Sequence, residues 1–259
     1  MSNQWQQALQ RPAPRDHIVQ VYQDQRYLAD AVGEYIGTGL ARGEAAIVIA
    51  RPEHNAAFLA DLERRGANPQ RAQARAQLVV LDAQETLDKF MVDGWPLWTD
   101  FRECVGGLIS RAGERFPAVR AYGEMVDILW QKDSRETAIA LEGFWNELAK
   151  IESFSLFCAY RMDPLDNTVY GGPLESVCGV HTHLIPTREY EELDTLVHEA
   201  SNELLDPKLA GMLLSISAAE RIGTKMPQGQ ATLLWLQRNM PRTADKILAS
   251  VRRRRAARG

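Results

Sequence analysis

The sequence predicts an α/β domain with a mostly parallel central sheet and helices on both faces, followed by an all-helical C-terminal segment. Three observations carry this. Apolar runs such as Ala45-Ala46-Ile47-Val48-Ile49-Ala50 show no alternation, the pattern of strands buried on both faces. Helical periodicities separate these runs at the spacing of βαβ units, whose crossovers make neighbouring strands parallel. Beyond Thr187 only helical periodicity remains.

Residues 1–15 read as a loose arm, because Pro12 and Pro14 disfavour regular structure. His17-Ile18-Val19-Gln20-Val21-Tyr22 is the first strand. Asp24 then caps a helix bearing Leu28, Val32, Tyr35, Ile36 and Leu40, with Gly39 and Gly43 as its terminators. After the 45–50 strand, Pro52 opens a helix that runs to Arg65. Leu78 to Asp82 is the third strand, followed by a short helix to Met91 and a turn at Gly94-Trp95-Pro96. A helix over 99–115 precedes a strand at Val119 to Glu124. A helix from Ser134 to Ile151 precedes the last strand, Phe154 to Tyr160. Residues 163–187, rich in Pro, Gly and Asp, form a long connection. Helices follow, broken at Asp206-Pro207, Gly223, Met226-Pro227 and Met240-Pro241.

The 259 residues are 45% hydrophobic and 25% charged, ordinary for a globular protein. No apolar run reaches the ~20 residues of a membrane span, and no signal peptide opens the chain. Three widely spaced cysteines fit a reducing compartment, so the cytoplasm is expected. Taking the five terminal arginines out of the net charge of −4 leaves −9 for the first 251 residues. An acidic body argues against a nucleic-acid surface, except through Arg252, Arg253, Arg254 and Arg255. A phosphate-binding loop needs glycines and a lysine between the first strand and first helix. Tyr22-Gln23-Asp24-Gln25-Arg26-Tyr27 has neither, and no catalytic residue is assigned.

A set of ordered motifs resembles the MEDS family of sensory domains, first named for methanogen and methylotroph regulators. They include the first strand, Gly39-Leu40-Ala41-Arg42-Gly43-Glu44, Arg51-Pro52-Glu53-His54 and Leu81-Asp82-Ala83-Gln84-Glu85-Thr86-Leu87. Ala121-Tyr122-Gly123-Glu124-Met125-Val126, Trp145-Asn146-Glu147-Leu148, Phe154 to Tyr160 and Val177 to Pro186 continue the pattern. The resemblance implies a relative of the RecA/KaiC fold that has lost its phosphate loop and serves signal input. It divides the chain into an arm (1–15), a sensory domain (16–188) and a helical output segment with a basic tail (189–259).

Two groups of residues are candidates for carrying a signal. Tyr22, Glu53, His54, Tyr122 and Glu124 follow strand ends, where open α/β sheets keep their ligand crevice. The competing assignment for each is capping or edge packing. Cys178, His181 and His183 form C-x₂-H-x-H, and with Cys158 offer thiolate and imidazole for a metal or for redox sensing. Against this, the pattern is half of the usual paired spacing, and the histidines can simply bond backbone carbonyls. The cofactor is left unknown. A homodimer and a signalling protein partner are expected. A KaiC-type ATPase and a regulator whose C-terminal segment binds DNA are the alternatives.

Overall fold

The computed structural model describes residues 4–163, 165–170, 173–185, 188–218 and 227–258. It divides into two compact units, residues 1–161 and 162–259.

In the first unit, five strands form a parallel sheet. They are β1 (His17–Tyr22), β2 (Ala45–Ala50), β3 (Leu78–Asp82), β6 (Val119–Gly123) and β7 (Ser155–Arg161), in the order β3-β2-β6-β7-β1. All residues of β1, β2 and β6 are buried, as expected of continuous apolar runs covered on both faces. On one face lie α2 (Gln25–Ala41) and α3 (Pro52–Arg64). Tyr35 of α2 meets Phe157 edge to face, and Phe58 of α3 meets Tyr122 in the same way. The other face carries α9 (Arg135–Ile151), whose Trp145 packs on Phe101 and on Gly123 of β6. The remaining short pieces are α4 (Pro69–Ala74), α5 (Ala83–Asp88), a hairpin of β4 (Met91–Val92) and β5 (Trp95–Pro96), and α8 (Met125–Gln131). The helix expected over 99–115 is α6 (Trp98–Phe101) and α7 (Gly107–Gly113), joined by a π turn at Arg102–Gly106.

The N-terminal arm is not loose. Gln4–Gln10 forms helix α1, and Leu9 is fully buried. Its anchor is Arg120, 1% exposed, at the start of β6. The guanidinium donates to the carbonyls of Leu9 (2.8 Å), Gln10 (3.0 Å) and Tyr35 (2.7 Å), to Thr38 Oγ1 (3.0 Å), and to Glu44 Oε2 (2.6 Å). Prolines at 12 and 14 end the helix but do not prevent this docking. Gly39 lies inside α2 rather than closing it, because a Cβ there would sit 2.7 Å from Arg120 Cδ. Gly33 plays the same part against α3, where a Cβ would stand 1.7 Å from Asp61 Oδ2.

In the second unit, the expected long connection contains a 3₁₀ turn (Asn167–Tyr170), α10 (Pro173–Val180) and β8 (His183–Ile185). Four helices follow: α11 (Arg188–Leu204), α12 (Pro207–Ser217), α13 (Gln228–Asn239) and α14 (Pro241–Arg258). The predicted break at Asp206-Pro207 is a helix start, with Asp206 accepting from Lys208 N. That at Met240-Pro241 separates α13 from α14, while Gly223 and Met226 lie outside the described residues. Leu193, Leu196, Leu213, Leu233, Leu236, Ile247 and Leu248 form the unit's core, while Leu204, Leu209, Met212 and Ile216 are exposed.

A buried guanidinium stripped of its counter-ion costs far more than an exposed one. Glu44→Ala is therefore expected to destabilise the protein by about 3–5 kcal/mol, read from the urea midpoint of the intact chain.

Candidate functional site

Each parallel strand ends at one edge of the sheet, and the loops there collect charge. At the end of β2, Arg51 adopts an extended backbone that lets Pro52 open α3, which places His54 one turn in. At the end of β6, Glu124 is the residue before α8, and Asp127 lies in that helix's first turn, where its dipole favours anions.

Glu124 is entirely buried, and donors meet both of its oxygens. Oε2 accepts from the Arg51 backbone N–H at 2.7 Å. Oε1 meets His54 Nδ1 and the Tyr122 hydroxyl at 3.3 Å, with Arg51 Nη1 3.7 Å away. Arg51 Nη2 continues to Asp127 Oδ2 at 2.9 Å. The other Asp127 oxygen accepts from the backbone N–H of Arg161 at 2.9 Å and from Gln131 at 3.0 Å. Gln131 in turn donates to the Arg161 carbonyl at 2.9 Å. A single ionic chain thus runs from His54 to the last residue of the unit.

A carboxylate only accepts, so the His54 Nδ1 facing Glu124 carries the proton. His54 Nε2 is buried and has no hydrogen-bond partner among the described residues. The rings of Tyr22 (centroids 6.3 Å apart) and Phe58 (5.9 Å) flank the imidazole. Burial, then the charges of Asp127 and Glu124, raise Tyr22 far above the ordinary tyrosine value. Burial and Glu124 do the same to Tyr122, so both remain hydroxyl donors. Burial alone would lower Arg51, but Asp127 and Glu124 hold it above its usual value.

Of the five residues predicted to share a crevice, Tyr22, His54, Tyr122 and Glu124 come together. Glu53 does not: it sits exposed in the first turn of α3, because a helix turns neighbours 100° apart and His54 takes the inward direction. Sequence reasoning missed Arg51 and Asp127. The signal was a basic residue just beyond one apolar strand, Arg51, and an acidic pair just beyond another, Glu124 and Asp127.

Of the cysteine and histidine candidates, Cys158 belongs to the first unit, and Cys178, His181 and His183 belong to the second. Cys158 is on β7 of the first unit, fully buried. Cys178 is buried in α10 of the second unit, where His181 Nδ1 donates to the Val177 carbonyl at 2.6 Å. His183 Nδ1 lies 2.9 Å from Thr182 Oγ1. In the basic tail, Arg252 donates to the Leu165 carbonyl, and Arg254 pairs with Glu199 and Glu203 of α11. Arg253 is exposed and Arg255 partly so. The Asp24 carboxylate accepts from Arg26 N at the start of α2, the position a phosphate loop would occupy.

Residues 16–182 match the family model described as MEDS, the methanogen/methylotroph DcmR sensory domain. The chain belongs to this family of sensory domains, well over half of its length being matched. No curated protein and no solved structure matches the chain. No helix among the described residues is long and apolar enough to cross a membrane.

Burial pushes the Cys178 thiol up from 9.0 to about 12, and raises Cys158 well above its ordinary value, with Glu142 adding to the effect. Cys104 alone is partly exposed. In the native protein at pH 8, iodoacetamide should alkylate Cys104 and spare the other two, as peptide mass spectrometry would read. Because the folded pKa of Cys178 is raised, its contribution to stability is complete below about pH 9 and is lost as pH rises toward 12.

Proposed function

We propose that this chain is a cytoplasmic signal-input protein. A small molecule bound at His54 and Glu124 is read by the first unit, and the second unit carries the output. The chain's place in a sensory family supports the general role. The single observation that carries the finer reading is the ionic chain Glu124–Arg51–Asp127, which ends on the amide of Arg161. Arg161 is the residue from which the backbone passes into the second unit. A ligand that alters the pairing of Glu124 therefore alters the tether at that crossing. It can bias the output only by its differential affinity for two arrangements, typically 1–3 kcal/mol.

His54 Nε2, buried between aromatic rings without a hydrogen-bond partner among the described residues, supports as ligand a small molecule with one hydroxyl or amine group on an apolar body. Catalysis is not part of the proposal, since neither a nucleophile nor a phosphate cradle accompanies the cluster. Asp24 at the start of α2 disfavours the KaiC-type ATPase reading, because its charge opposes a phosphate there. The pairing of Arg252 and Arg254 within their own unit weakens the DNA-binding reading. The exposed apolar residues Leu209, Met212 and Ile216 of α12 support association with a signalling partner or a second copy.

The test is a panel of short-chain alcohols and primary amines, added to the intact protein while the ring signals of His54 are followed by NMR. One class should shift those signals and, at the same concentrations, change hydrogen-exchange protection within 162–258. His54→Phe should abolish both effects. The proposal fails if no compound moves His54, or if binding leaves exchange in 162–258 unchanged.

A further inference from the structure

On the sheet face away from His54 lies a second buried polar cluster, which the proposed signal does not use. His17 opens β1, Cys158 lies in the middle of β7, and Glu142 projects from α9. All three are buried, Glu142 and Cys158 completely. Cys158 Sγ is 3.5 Å from His17 Nε2 and 3.6 Å from Glu142 Oε2, and the last two atoms are 3.2 Å apart.

We propose that these three side chains bind one divalent transition-metal ion, with zinc the best match. Metal–sulfur bonds of about 2.3 Å and metal–nitrogen or –oxygen bonds of about 2.0–2.2 Å, set tetrahedrally, separate ligand atoms by about 3.3–3.6 Å. The two edges to sulfur, 3.5 and 3.6 Å, lie in that range, and the nitrogen–oxygen edge of 3.2 Å is 0.1 Å short of it, so the triangle is close to the size one ion requires.

The surroundings add a second, independent argument. A ligating histidine usually donates its other N–H to a fixed acceptor, and ligating carboxylates are themselves hydrogen-bonded. His17 Nδ1 faces Asn146 Oδ1 at 2.9 Å, which places a proton on Nδ1 and leaves Nε2 able to coordinate. The Tyr160 hydroxyl donates to Glu142 Oε1 at 2.6 Å, leaving Oε2 to face the sulfur and the imidazole. The charges also balance, since a dication with one thiolate, one carboxylate and a neutral imidazole gives a neutral site in an apolar interior. On binding, the thiol proton leaves to solvent as the metal–sulfur bond forms, with no change of oxidation state.

The imidazole–thiolate–carboxylate set suits zinc by ligand type. The site is separate from the His54–Glu124 cluster, so neither proposal depends on the other.

The test uses the intact protein, stripped with chelator and reloaded with zinc or with cobalt(II). We expect one zinc per chain by elemental analysis. The cobalt form should show tetrahedral d–d bands in the visible and a thiolate-to-cobalt charge-transfer band in the near ultraviolet. Cys158→Ser should remove the charge-transfer band, Glu142→Gln should weaken zinc binding at least tenfold, and Cys104→Ser should change neither. Should Cys158→Ser fail to fold, X-ray absorption at the zinc edge of the wild type decides, one sulfur among the ligands being the expected result. A wild-type protein that takes up no stoichiometric zinc overturns the proposal. So does a charge-transfer band that survives Cys158→Ser, or a zinc shell without sulfur.

Discussion

A carboxylate with no exposed surface cannot remain charged unless donors replace the water it has lost. Glu124 meets that condition with the Arg51 amide, the His54 imidazole, the Tyr122 hydroxyl and the nearby Arg51 guanidinium. The rest of the site follows from this requirement. The requirement fixes the direction in which α3 leaves β2, because the Arg51 amide and the His54 ring must both reach one carboxylate. It also places Asp127, which completes the neutralisation of Arg51, one turn into α8.

The same constraint recurs at the opposite end of the sheet, where Arg120 is the buried charge and α1 supplies acceptors that water would otherwise provide. It recurs a third time on the α9 face, where Glu142 accepts from Tyr160 and lies against His17 and Cys158. These three buried ionic clusters lie on or beside one sheet. Unpaired, each would be strongly destabilising, and paired they contribute specificity more than net stability. Two of them have features that a purely structural pair does not require. One is the buried His54 Nε2 without a hydrogen-bond partner among the described residues, and the other is a ligand triangle close to tetrahedral size.

The five strands of the sheet were legible in the sequence because continuous apolar runs have few other uses. The short helices α1, α4, α8 and α10 were not, since two turns give too little periodicity to stand out. The arm was misread for a related reason: its helix is held by a guanidinium more than a hundred residues away, a tertiary cause with no local sign. The strand-end rule found four of the five cluster residues it named, and failed on Glu53, where only helical phase separates it from His54. Glu142 had a visible signal. It sits on the stripe Ala138, Leu141, Trp145 and Leu148, and a carboxylate on an apolar stripe marks a buried partner. His17, at the mouth of an apolar strand, gave no comparable sign.

The account rests on Glu124, Arg51 and Asp127 acting as one unit, and a double-mutant cycle measures that directly. Glu124→Gln and Arg51→Met, singly and together, should be compared by urea denaturation of the intact chain. A coupled pair predicts that the double variant recovers at least about 1 kcal/mol relative to the sum of the singles. Additivity to within about 0.5 kcal/mol would contradict the account, because the two residues would then stabilise the strand ends independently.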